Sequence, residues 1–524
     1  MPVLFKRLLN VTKLDEMIKR IKGNLQLLAA QLPTNRSTKN VIWNLLGGAW
    51  TGILILLATP WYVSRLGLEG YGILGIWLMM QVMMGLLDIG MGATLVKELA
   101  ASGRPSSNLE YKRNLLRTLE IVYWLVAGIL TLALVVGAEW IGSSWLKSDT
   151  LSSTYITNAF RLMAIALGLQ FPYALYLNGL AGLQEQGRMN AIQIIGNSLR
   201  YGCGVAVLFW RADLVWFFAV QMLVAVSQTL ATRWVVWTII TEKSVRQPDF
   251  RLEILKNLWR FSMGMALTAV AATLLANADR IVLSKMASIT ELGKYTVAFT
   301  ATGLLQLGIQ PFYRAFFPRY SELVSSGKTI QLHDEYFRSS RLMASVILPL
   351  GLVGWLFANQ LFNIWLGTYD QTIIDVFKWL LIGITCSGLM WLPAAFQHAH
   401  GWTRLHAAMI AGAFLLGTPV MVWCIDVYGT VGATVVWVVH GVSEITLGLW
   451  LMHRRLLIGK LFFWYRSVLL PPFLLSLSLA TVSSWAMPYG LNNWINIIWI
   501  GVTALIVLAS TLIFNSKRTL RGFK

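Results

Sequence analysis

Charged side chains inside apolar segments are costly, roughly 3 kcal/mol or more at a bilayer centre. Several occur in this 524-residue chain. The stretch "ANADRIVLSK", Ala276 to Lys285, closes an apolar run that begins at Phe261, and it places Asp279 and Arg280 side by side. Arg200 stands near the middle of another run, roughly 15 Å from either interface at 1.5 Å per residue, too deep to snorkel to water. Arg314 lies between Pro311 and Pro318, and Arg161 begins a further run. Guanidinium groups pair bidentately with phosphate oxygens. These residues are therefore suited to holding a phosphate-bearing ligand, not to making bonds.

The arginines stand on polar or small stripes at helical spacing, as expected of helix faces turned to a water-filled cavity. Asn44, Gly48, Thr51 and Thr59 form one stripe; Gln81, Gly85, Asp88 and Gly92 form a second. Gln193, Asn197 and Arg200 form a third, Thr273, Asn277 and Arg280 a fourth, and Gln306, Gln310 and Arg314 a fifth. The cavity-facing set expected from this pattern is Arg200, Arg314, Arg280, Arg161, Asn197, Gln193 and Asn44. Within the spans, Arg161, Arg200, Arg233, Arg280, Arg314 and Lys378 face Asp88, Asp279, Asp375 and Glu444, a mildly cationic balance. Asp88 is also a candidate structural partner for Arg200. Asp279 and Arg280 fall near the outer boundary, where helical geometry lets one face the cavity while the other reaches the headgroups. His398, His400 and His406 in "HAHGWTRLH" read as an interfacial loop, not a metal site, since no carboxylate or thiolate stands nearby in sequence.

The elements that must position these residues are membrane helices. The chain is 56% hydrophobic and 13% charged, with a mean hydropathy of +0.62, and its apolar residues come in blocks of about twenty, the length that spans a bilayer core. Breaker residues divide it into fourteen candidate spans, the first near 41–63 and the last near 494–515. With a cytoplasmic amino terminus, about 32 of the 43 Lys and Arg fall on the cytoplasmic side and about five in outer connections. That bias places both termini in the cytoplasm and explains the net charge of +20 without nucleic acid. Residues 1–38 read as a basic amphipathic segment on the membrane surface. Cys203, Cys386 and Cys424 form no metal or disulfide spacing. No GxxxxGK[ST] phosphate loop or GxGxxG turn appears, and no connection is long enough for a catalytic domain.

A repeat runs beneath the spans. "SRLGLEGYG" is echoed by "SKMASITELGKY", so Ser64 matches Ser284 and Tyr71 matches Tyr295 after a four-residue insertion; Glu98 matches Glu322. The offset covers six spans, an even number, so the halves share one orientation about an axis along the membrane normal. The expected fold is an all-α polytopic membrane protein. Its six-helix lobes span 39–241 and 259–455, a linker spans 242–258, and two extra helices with a basic tail span 456–524.

The segment "NLLGGAWTGILILLATPWYVSRLGLEGYGILGIWLMM", followed by "LLDIGMGATLVKELA", resembles the opening hairpin of bacterial O-antigen and polysaccharide flippases of the multidrug/oligosaccharidyl-lipid/polysaccharide exporter superfamily. Gly67, Glu69, Tyr71 and Gly72, then Asp88, Gly90, Glu98 and Ala100, carry the likeness, and "NADRIVLSK" with Gly293 and Tyr295 resembles the start of the second lobe. The resemblance covers roughly residues 38–325. It implies a V-shaped cavity between the lobes in an inner-membrane transporter that is not an enzyme. It further implies a polyprenyl-diphosphate-linked oligosaccharide as cargo, flipped to the outer leaflet by alternating access. Proton or sodium coupling at Asp88 or Asp279 follows by the same likeness, as do membrane lipids, a polysaccharide polymerase and a chain-length regulator as partners. The alternatives are a drug or cation exporter of the same fold and, with less support from the short connections, a glycan polymerase or ligase.

Overall fold

The computed structural model describes residues 36–88, 90–100, 109–240, 248–367, 369–488, 490 and 492–521. The side chains of 36–46, 49, 257–272, 275, 414 and 517–521 are outside the description. The basic segment before residue 36, part of the interlobe linker and the Asn44 side chain therefore lie outside the described residues.

Helical hydrogen bonding runs through Arg36–Leu87, interrupted at Gly67 with φ 72° and ψ 175°. Glycine reaches this backbone conformation without a Cβ penalty. It divides the run into α1 (36–66) and α2 (68–87). The chain reverses there, because the Thr59 and Tyr71 hydroxyls, twelve positions apart, lie 3.1 Å from each other; a straight helix would separate them by about 18 Å. The first lobe continues with α3 (Met91–Ala100), α4 (Leu109–Trp140), α5 (Ser153–Gly182), α6 (Gln186–Trp210) and α7 (Leu214–Ile240). The second contains α8 (Leu252–Met286), α9 (Ile289–Ser325), α10 (Thr329–Leu356), α11 (Ala358–Leu366), α12 (Gln371–Leu389), α13 (Trp391–Ala399), α14 (Arg404–Tyr428), α15 (Val435–Ser443) and α16 (Leu449–Leu456). After the lobes come α17 (Leu461–Trp464), α18 (Leu470–Ala486) and α19 (Asn493–Arg521).

Among the described residues, ten segments are long and apolar enough to cross a membrane. Two of them contain a reversal, at Gly67 and at Gly429, and α8 and α9 are long enough to cross as well. The architecture is consistent with fourteen crossings. The expected second span, near 72–96, is broken where Gly90 takes a positive φ. The tenth, near 373–397, is broken at Met390, between α12 and α13.

The repeat reappears in the bonding. The offset that matches Ser64 to Ser284 carries Thr59 onto Asp279, and the Tyr295 hydroxyl donates to Asp279 at 2.5 Å as Tyr71 meets Thr59. Each lobe thus ties its second helix back to its first through a buried tyrosine.

The lobes meet closely at the Gly67 end. A Cβ at Gly293 on α9 would sit 1.9 Å from the Leu68 carbonyl oxygen, and one at Gly72 on α2 would sit 2.2 Å from that of Ile289. Only glycine permits this approach. The connection between α4 and α5 then crosses to the α8–α9 turn. Ile289 N–H donates to the Lys147 carbonyl at 2.9 Å, Thr290 Oγ1 to Asp149 at 2.6 Å, and Lys285 Nζ to the Ser144 carbonyl at 2.9 Å. Glu69 holds that connection from below, accepting from Ser148 Oγ at 2.5 Å, Asp149 N–H at 2.9 Å and the Thr150 hydroxyl.

Gly293→Ala is expected to force α2 and α9 apart and to cost about 1–3 kcal/mol, as overpacking does elsewhere. The measurement is the melting midpoint of the purified protein in detergent. An unchanged midpoint would show that this contact does not hold the lobes together.

Candidate functional site: the interlobe cavity and the second-lobe pocket

Arg200 is 7% exposed and enclosed in the first lobe. Its Nη1 donates to Gln170 Oε1 at 3.0 Å and its Nη2 to Gln228 Oε1 at 3.1 Å, with the Trp77 ring 5.9 Å away. No carboxylate pairs with it among the described residues, and its Nε has no partner there. Asp88 is engaged elsewhere. Its carboxylate accepts from the Gly92 N–H at 2.9 Å, in the first turn of α3, and from the Tyr123 hydroxyl. It caps the helix that restarts after Gly90, as short acidic side chains do.

Asp279 is fully buried and accepts from Tyr295, from Trp437 Nε1 at 2.8 Å and from the Arg280 N–H at 2.8 Å. Arg280 is 9% exposed, lies 4.4 Å from the Phe299 ring centroid and donates to the Ala276 carbonyl at 3.3 Å. Both side chains are interior, so neither reaches headgroups. The reason is that α9 and α15 cover this end of α8.

Asn197 Nδ2 donates to Thr51 Oγ1 at 2.7 Å, joining α6 to α1, and Gln193 is half-buried one turn earlier. Arg161 and Arg314 are exposed. Arg314 donates to Gln310 Oε1 at 3.4 Å, and Gln310 is exposed as well, so α9 presents a polar face toward the end away from Gly67. The cationic balance read from the spans needs one correction. Arg233 Nε lies 2.5 Å from Glu120, a 2%-exposed carboxylate in α4 that also takes Arg117 and the Tyr176 hydroxyl. Arg233 is therefore paired within its own lobe, sharing that carboxylate with Arg117.

The histidine segment forms the turn between α13 and α14, as expected, with His400, Gly401, Trp402 and Thr403 outside the helices. His398 and His406 turn inward to a pocket of about 380 Å³ inside the second lobe. Tyr313 and Trp391 line it from one side, and Trp437, His440 and Glu444 from α15 and its following turn line the other. His398 Nδ1 is 2.9 Å from the Tyr313 hydroxyl, and His406 Nδ1 is 3.5 Å from Glu444 Oε1. Among the described residues no three His, Cys, Asp or Glu are grouped to hold a metal ion. Tyr313, Trp391, His440 and Glu444 are absent from the expected site. The one local signal was the four-residue spacing of His440 and Glu444, which puts both on one helix face.

Two helical lobes tied at one end, with an exposed polar, arginine-bearing face on α9, have the build of a helical membrane transporter. The comparisons with known proteins agree. The family model described as "Polysaccharide biosynthesis protein" matches residues 37–324, and the chain belongs to that family. A protein of Shigella flexneri described as a candidate O-antigen transporter is 24% identical over 419 residues, 79% of this chain and 97% of the relative. Among solved structures, the lipid II flippase MurJ in an inward closed conformation superposes with a TM-score of 0.72 at 11% identity, covering 92% of this chain and all of that one. A multidrug resistance MATE family transporter of the MOP superfamily, inward-facing, gives 0.61 at 12% identity, covering 80% of this chain and 94% of that one. These relatives are transporters and flippases, not enzymes.

Gln228→Leu should strand the Arg200 guanidinium, at about 1–3 kcal/mol for a buried donor left unmatched, while Gln228→Glu should keep or strengthen the contact. Comparing the melting midpoints of the two variants tests this. Equal midpoints would mean that Gln228 does not carry the buried charge.

Proposed function

We propose that this chain moves a polyprenyl-diphosphate-linked oligosaccharide across a bacterial inner membrane by alternating access. The observation that carries the reading is the polar face of α9. Gln310 and Arg314 open toward the end opposite Gly67, while glycine contacts and crossing hydrogen bonds close the Gly67 end. The Lys and Arg bias supports a cytoplasmic position for that end. A cargo would then load from the cytoplasmic leaflet, with its diphosphate at Arg314.

The isoprenoid chain needs no polar path. An apolar groove of about 490 Å³ between α10, α12 and α18, lined in part by Leu352, Trp355, Leu389 and Phe473, offers it contact without leaving lipid. Release to the outer leaflet requires the Gly67-end contacts to part. A proton or sodium gradient would drive that step, with Asp279 and Asp88 as the candidate ion sites. Asp279 suits the role because its Tyr295 and Trp437 donors tie α8 to α9 and α15.

The test is a mass spectrum of polyprenyl-linked glycans from cells lacking the gene, compared with cells complemented by wild type, Arg314→Ala or Arg200→Ala. The expected result is that one lipid-linked glycan accumulates in the deletion strain. Both variants should lower surface polysaccharide at least tenfold at normal membrane abundance. No accumulating glycan in the deletion strain would end the flippase reading, and normal polysaccharide in both variants would remove the arginines from it.

A further inference from the structure

The second-lobe pocket is unused by the transport path as described so far, yet its lining is chemically specific. We propose that it is the subsite for the sugars nearest the diphosphate, and that it accepts neutral or amino sugars and rejects acidic ones. The inference rests on the flippase reading and narrows its cargo.

The volume of about 380 Å³ falls within the range of small-molecule sites, about 300–1,000 Å³. Tyr313 and Trp391 stand edge to face, 5.8 Å between centroids, on the wall formed by α9 and α13, and Trp437 lies on the wall from α15. Aromatic faces suit the C–H surface of a sugar ring, and the ring hydroxyls then need donors and acceptors around the edge. Glu444 and His440 supply them. Glu444 is 3% exposed, and the contact recorded for its carboxylate is His406 Nδ1 at 3.5 Å. His440 Nδ1 is buried with no hydrogen-bond partner among the described residues. A buried ring nitrogen without a partner is costly unless a ligand completes it, and His440 Nδ1 is such an atom. A purely apolar ligand would leave it unsatisfied.

The preference for charge follows from what else lines the pocket. Among the described residues, no lysine or arginine does. An acidic sugar would therefore bring a second carboxylate beside Glu444 in a low-dielectric interior, where like charges repel strongly. Among the described lining residues, only histidines offer it a cationic counterpart. An ammonium group or a neutral hydroxyl meets Glu444 favourably. The register also fits a diphosphate-linked head. Gln306, Gln310 and Arg314 follow one another at four-residue intervals along α9, about 12 Å from first to last, and the two glutamines line the pocket while Arg314 is exposed beyond it. A diphosphate on Arg314 thus places the adjoining sugars against Gln310 and Gln306.

The test analyses the glycan that accumulates in the deletion strain and the export supported by Trp391→Ala and Glu444→Gln. Trp391 is 38% exposed, so its removal opens no core cavity, and Glu444→Gln keeps the side-chain shape. The expected glycan carries neutral or amino sugars in the two positions next to the diphosphate. Each variant should raise the lipid-linked intermediate at least fivefold over wild type at equal membrane abundance. An acidic sugar in either position, or wild-type export by both variants, would overturn the subsite while the flippase reading stands. No accumulating glycan would take down both.

Discussion

Every other feature of the site depends on how closely α2 and α9 approach each other at the Gly67 end. Gly72 and Gly293 let two backbones pass where a single methyl group would collide with a carbonyl oxygen. Lipid supplies no water to satisfy backbone groups or to drive helices together, so small residues that allow close packing carry helix association. Once this contact is made, the α4–α5 connection can reach the α8–α9 turn, and Glu69 can hold it there. Closure at one end fixes how the two lobes sit against each other there.

The charged groups sort by what that closure leaves around them. Arg233 and Glu120 pair inside the first lobe, and Asp88 is absorbed in capping α3. Arg200 is matched by neutral amide oxygens alone, which satisfy hydrogen bonds without cancelling charge. Its positive potential therefore survives burial. Asp279 is the mirror case in the second lobe, a carboxylate held chiefly by neutral donors, with Arg280 Nε at 3.9 Å as a weak counterion. A guanidinium held by amide oxygens in one lobe and a carboxylate set beside Arg280 in the other are distinctions that span-by-span charge counts do not contain.

Much of the fold was legible in advance because hydropathy, turn chemistry and charge bias are local properties. The Gly67 reversal followed from a glycine in a polar break, and the Tyr71 and Tyr295 match followed from the repeat. The tyrosine bonds to Thr59 and Asp279 then showed that the repeat is structural. The break at Asp88 to Gly90 was missed because apolar residues continue across it, and a positive φ leaves no mark on hydropathy. The turn at "HAHGWTRLH" was legible from its polarity, and the structure has it between α13 and α14. The reach of His398 to Tyr313 and of His406 to Glu444 was not legible, because it depends on how α13 and α14 pack.

The sequence by itself determined that this is a polytopic helical membrane protein with a basic side, two related halves and arginines at depth. Those properties depend on the order of residues along single helices and on the cost of charge in lipid. Only the tertiary structure decided which arginine is paired, which carboxylate is a cap and which histidines share a pocket. Arg233 and Glu120 lie 113 positions apart, and the Tyr313 and His398 partners 85. Such pairings depend on the rotation of each helix about its axis and on which neighbour packs against it, and those are settled by the close contacts of whole lobes.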